Sequence, residues 1–160
     1  MQLKEMAMST NVISLVSIGA HPTSGRPRRA EQDARAVELG LQLAGDKLQV
    51  LHAGNIAEPT LRSYLGMGLP QLQVLEQPAG SDALPVLSEY LRDAGAQVVL
   101  AGSQAETGEG SGMLPFLLAA QVELAVTGQG FAPAAWHIGN GFGYHLGGPC
   151  FGFGLALSGF

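Results

Sequence analysis

An α/β architecture, a parallel sheet layered between helices, is the fold class this sequence predicts, on three observations. Short apolar, β-branched runs alternate with longer segments of helical period, and glycine closes nearly every one of them. The order of the segments is strand, helix, repeated four times, which implies parallel strands joined by right-handed crossovers. The 160 residues, 46% hydrophobic and 13% charged, are enough for one domain with its own core.

The first strand is read over residues 12–18, an apolar run closed by Gly19. A loop rich in Gly, Pro, Ser and Arg follows to Arg29. Ala30, Ala34, Val37, Leu41 and Ala44 then recur at helical spacing, with Glu31, Gln32, Arg35 and Glu38 off that stripe and Gly45 as the stop. Lys47 to Ala53 is the second strand. Pro59 opens a short helix with Leu61, Tyr64 and Leu65 on its apolar face, ended by Gly66 to Gly68. Leu72 to Leu75 is the third strand, and Ser81 or Asp82 caps a helix with Leu84, Leu87, Tyr90, Leu91 and Ala94 on one side. Gln97 to Ala101 is the fourth strand, followed by a loop from Gly102 to Gly112 and a nearly all-apolar helix from Met113 to Ala120.

Three regions are expected: an N-terminal extension over 1–11, an α/β domain over 12–123, and a Gly-rich tail over 124–160. After Glu123 no Asp, Glu, Lys or Arg occurs and the helix and strand periods fade. Such a break suits a shifted reading frame, or a wrongly spliced or truncated product, better than a natural Gly-rich tail. Met8 reads as a more natural start than Met1, and the first residues lack the apolar run of a signal peptide. A net charge of −5 argues against nucleic acid or anionic lipid as the main partner, since both need clustered Lys and Arg. The one basic cluster, Arg26-Pro27-Arg28-Arg29, reads as a solvated loop. Leu146 to Leu157 falls short of a membrane span and is broken by Gly and Pro149. The lone Cys150 cannot form an internal disulfide, so a reducing cytoplasm is the expected compartment.

In a parallel sheet of this kind, ligands bind beyond the carboxyl ends of the strands, where the strand order switches. The loop after the fourth strand is the most informative such place. Glycines at 102, 108, 110 and 112 let backbone N–H groups approach an anion, and the following helix adds its positive end. Ser103, Gln104, Thr107 and Ser111 can hydrogen-bond phosphate or ribose. The same pattern is equally that of a flexible βα loop with Ser111 as an N-cap.

Gly102-x-Gln104-Ala105, a polar stretch, then Ser111-Gly112-Met113 opening an apolar helix resembles the nucleotide loop of electron transfer flavoprotein beta subunits. That loop starts Gly-Lys-Gln-Ala, continues through aspartates and reaches Thr-Gly-Gln at the helix. Thr60-Leu61-Arg62 through Leu65-Gly66-Met67-Gly68 is similar to the family's second helix, and Asp33-x-x-Ala36-x-Glu38, with Leu43 beyond, to its first. The three matches run in order over residues 12–123. The resemblance implies an adenine nucleotide alpha hydrolase-like (Rossmann-like) fold and a heterodimer of alpha and beta subunits. Such a heterodimer carries electrons from flavin dehydrogenases to a membrane quinone reductase. The alpha subunit mainly holds the redox FAD, and the beta subunit holds a structural AMP. Carried over by position, the AMP contacts are Gly102, Gln104, Ala105, Ser111 and Gly112, with Ala53 and Ser17 at the ends of the second and first strands. The resemblance implies an electron carrier, not an enzyme with catalytic residues of its own.

Departures stand beside these matches. The family's Asn-Pro-x-Asp before the first helix appears only as Arg26-Pro27, with extra residues before Asp33, and Glu106-Thr-Gly-Glu109 replaces the aspartates. Beyond residue 123 the family's dehydrogenase-recognition segment and its arm around the alpha subunit find no match. His21 and His52 follow the first two strands and could reach the cleft as a phosphate contact or metal pair, or be ordinary polar loop residues. His137 and His145 are given no role, and Gly139-x-Gly141-x-Gly143 follows no strand. Two other readings remain: a stand-alone adenine-nucleotide module resembling universal stress proteins, and an inactive truncated product.

Overall fold

The structure, a computed structural model, describes residues 10–107, 112–127 and 155–158. Its strands and helices run β1 (Val12–Leu15), β2 (Ile18–Ala20), β3 (Pro27–Arg29), α1 (Glu31–Ala44), β4 (Gln49–Gly54), α2 (Arg62–Leu65) and β5 (Gln73–Glu76). They continue through α3 (Ala83–Asp93), β6 (Val98–Ala101), α4 (Leu114–Val122), β7 (Ala125–Thr127) and β8 (Leu155–Ser158). The main sheet has the order β5-β4-β1-β6-β8-β7. The first four of these pair in parallel, with Ile13 lying between Gln49 and Val99. The α/β class with a mostly parallel sheet and flanking helices is therefore observed, and the order reverses between β1 and β6.

Alternation along the central strands divides the core. Val12, Val16, Val50 and Leu100 pack on one face with Ala36, Val37, Leu48, Tyr64 and Leu69. Ile13, Leu15, Leu51, Val99 and Ala101 pack on the other with Leu87, Leu91, Leu118 and Ala119. This two-sided burial is why β1 reads as a continuous apolar run.

The structure corrects several sequence expectations. The first strand stops at Leu15; Ser17 turns onto α1, and the Gly19–Arg29 stretch read as a loop contains a hairpin, with Ile18 opposite Arg29 and Ala20 opposite Pro27. Gly19 sits there because a Cβ would lie 2.9 Å from the Ala30 Cα. The buried face of α1 is Asp33, Ala36, Val37 and Gly40, rotated from the Ala34–Leu41 stripe. Gly40 allows that rotation, since a Cβ there would lie 2.7 Å from Leu48 Cδ1. Residues 45–47 form a 3₁₀ turn, not the start of a strand. Asp82 is the cap of α3, its Oδ1 accepting from Leu84 N at 2.9 Å. Past residue 123, where no element was expected, β8 pairs antiparallel with both β6 and β7. The N-terminal extension to residue 9, Ser111, His137, His145, the Gly139–Gly143 pattern and most of the Gly-rich tail lie outside the described residues.

Candidate functional site

The ends of β1, β4 and β6 meet at a cavity of about 130 Å³. Its floor is apolar: Leu15, Val16, Leu51, Leu87 and Ala101, with Leu114 and Pro115 from the start of α4. Polar groups enter from strand ends, Ser17, His52 and Gln104, and from Asp33 on α1. The position follows from the topology, because crossovers leaving β1 and β6 diverge and open a crevice between them.

Asp33 organises the wall. It is 8% exposed. Its Oδ2 accepts from Ser17 N at 2.8 Å and from Ser17 Oγ at 2.5 Å, and its Oδ1 accepts from Gly102 N at 2.9 Å. One carboxylate thus ties the end of β1 to the end of β6. Burial pushes the Asp33 carboxyl above its ordinary value, and the nearby Glu106 charge adds to this, against the hydrogen bonds from Ser17 and Gly102. Gln32 repeats the pattern: its Oε1 accepts from Ser103 Oγ at 2.6 Å and Gln104 N at 3.0 Å.

Outside this wall, Glu106 reaches back to the hairpin. Its Oε1 accepts from Glu31 N at 2.6 Å, and its Oε2 lies 3.1 Å from Arg28 Nη2, an ion-pair contact without hydrogen-bond alignment. Tyr64, fully buried, donates from Oη to Ser17 O at 2.8 Å and accepts from Ala30 N at 3.0 Å. Its burial pushes the phenol well above the usual tyrosine range.

Five of the positions carried over from the resemblance, Ser17, Ala53, Gly102, Gln104 and Ala105, line the cavity. Gly112 lies apart from that lining, packed where a Cβ would meet Ser103 O at 2.6 Å. The two histidines separate. His52 is buried on the cavity wall with its Nδ1 2.9 Å from Val16 O, whereas His21 is exposed and its Nδ1 accepts from Thr23 N and Ser24 N in the hairpin turn. They form no metal pair, and no group of three or more metal-ligating side chains occurs among the described residues. No helix among them is long and apolar enough to cross a membrane.

Sequence reasoning missed Asp33 and Gln32 as wall residues. An acid at the 33–36–37–40 spacing of small and apolar residues was the available signal for Asp33; Gln32 carries none that sets it apart from a solvated helix position.

Residues 28–129 match the electron transfer flavoprotein domain family. The protein described as electron transfer flavoprotein subunit beta in Chromohalobacter salexigens is 51% identical over 117 residues, covering 71% of this chain and 44% of that relative. The chain thus spans under half the length of the relative it matches. No solved structure matches it.

Proposed function

The chain belongs to the electron transfer flavoprotein family, and from that membership we propose that it is a beta-subunit-like carrier component. In this reading it binds AMP, pairs with an alpha subunit bearing FAD, and serves the passage of electrons from flavin dehydrogenases to the respiratory chain. The observation that carries it is the cavity at the ends of β1, β4 and β6, lined by Ser17, Ala53, Gly102, Gln104 and Ala105. Its apolar floor suits a purine, and the Ser17, His52 and Gln104 side chains suit the polar edges of base and ribose. Ser111 and Gly112, leading into α4, belong to the same proposed contact set.

The flavin supplies the redox chemistry when the alpha subunit is bound, and this chain supplies binding and orientation. The reading gives it no acid, base or nucleophile of its own, and places it in the cytoplasm. Isothermal titration of the chain with AMP, and its co-purification with the matching alpha subunit, test the two parts separately. Micromolar AMP binding supports the site; absence of heat with AMP, in a chain whose circular dichroism shows it folded, refutes it.

A further inference from the structure

The adenylate reading leaves one group unexplained: a buried carboxylate in the wall of a cavity assigned to an anionic ligand. The N–H groups of Ser17 and Gly102 stand at the ends of β1 and β6, the place where this topology ordinarily offers amides to a phosphate. Both already donate to Asp33, at 2.8 and 2.9 Å, together with the Ser17 hydroxyl. The next loop amide used, Gln104 N, donates to the Gln32 side chain at 3.0 Å. Glycine at 102 is what admits the carboxylate, since a Cβ there would lie 2.4 Å from Asp33 Oδ1.

Among the described residues, those lining the cavity include no lysine or arginine to offset that charge. Arg28, on the hairpin, is turned to Glu106. A phosphate driven to the floor would meet Asp33 in a place poorly screened by water and would find the amides of Ser17, Gly102 and Gln104 taken.

We propose that Asp33 is a specificity-determining residue that fills the anion position at the β1/β6 switch point from within the protein. The cavity then takes the uncharged end of a nucleotide, base and sugar, and turns its phosphate outward to the mouth. The inference rests on the adenylate reading and deepens it by assigning the ligand's orientation.

Titration of the full chain and of Asp33→Asn with adenosine and with AMP, at one mildly alkaline pH, tests it. Asn keeps the shape and removes the charge, so AMP is expected to gain on adenosine by roughly tenfold, equivalent to about 1.4 kcal/mol. A merely structural role for Asp33 would weaken both ligands together and leave their ratio unchanged, which overturns the proposal. If wild type binds neither ligand, the adenylate reading fails and this inference with it, an outcome distinct from binding with an unmoved ratio. Should Asp33→Asn not fold, inorganic phosphate competes against adenosine on the wild-type chain. No displacement at large phosphate excess is expected, and ready displacement refutes a filled anion position.

Discussion

The two faces of the sheet meet the same cavity in different ways. On the α1 face, hydrogen bonds cross between elements: Tyr64 holds Ser17 O and Ala30 N, Asp33 holds Ser17 and Gly102, and Gln32 holds Ser103 and Gln104. On the α3–α4 face the described wall is apolar packing, from Leu87 and Leu114, and the hydrogen bond that Arg92 donates to Gln121 O between the two helices lies outside the cavity lining. There Met113, just before α4, and Phe116 and Leu117 on it face outward, at 55%, 44% and 44% exposure. Directional bonds fix one wall within a few tenths of an ångström, whereas apolar contacts tolerate repacking. The difference assigns geometry to the first face and adaptability to the second.

The sharpest way to break that contrast is Tyr64→Phe. It keeps the ring and strips the hydroxyl, leaving the buried Ala30 N and the half-buried Ser17 O without their partner, at a cost of about 1–3 kcal/mol. Urea denaturation measures this directly, and a variant as stable as wild type would show the α1 face to be as forgiving as the other.

A pH-resolved effect comes next. Asp33 is raised above its ordinary 3.8, so the folded chain holds that proton more tightly than the unfolded chain does. Its contribution is fully present below the ordinary value and is lost as pH rises through the folded one. The slope is at most about 1.4 kcal/mol per pH unit. Glu58 pulls the other way: the hydrogen bonds from Thr60 lower its carboxyl, so its contribution is lost as pH falls. The quantity to measure is therefore wild type minus Asp33→Asn, in urea melts from acid to neutral pH. It should decline with rising pH, and a flat difference would leave Asp33 energetically neutral.

The smallest effect belongs to the apolar face. Phe116→Ser, on the outward side of α4, should change stability by no more than about 0.5 kcal/mol. Thermal melts of the chain alone are enough to check it, and a loss of several degrees would mean that Phe116 is packed more firmly than its exposure implies.

Much of the architecture was legible in the sequence because the parallel core strands are buried on both faces and cannot be written in polar residues. Val12 to Leu15 and Val98 to Ala101 are examples. The hairpin of Ile18–Ala20 and Pro27–Arg29 was not legible, because its second strand is Pro-Arg-Arg and its pairing depends on Gly19 lying close under Ala30. Nor was the true face of α1, which is defined by an acid and a glycine that a hydrophobicity count scores as absent. At the site, the spacing of the loop after β6 singled out Gly102 and Gln104, which line the cavity. The residues that occupy the loop's amides come from Asp33 and Gln32, some seventy positions earlier in the chain, and no local pattern links the two segments.

Gly102 and Asp33 cannot be inherited independently. A methyl group at 102 would press on a carboxylate whose two oxygens are both engaged, and would come within 3.2 Å of the Asp33 backbone nitrogen, so that the start of α1 would also have to give by a few tenths of an ångström. A descendant that gains a side chain at 102 must first shorten or discard the acid at 33, so genetic drift at this corner has to pass through the helix before it can reach the loop.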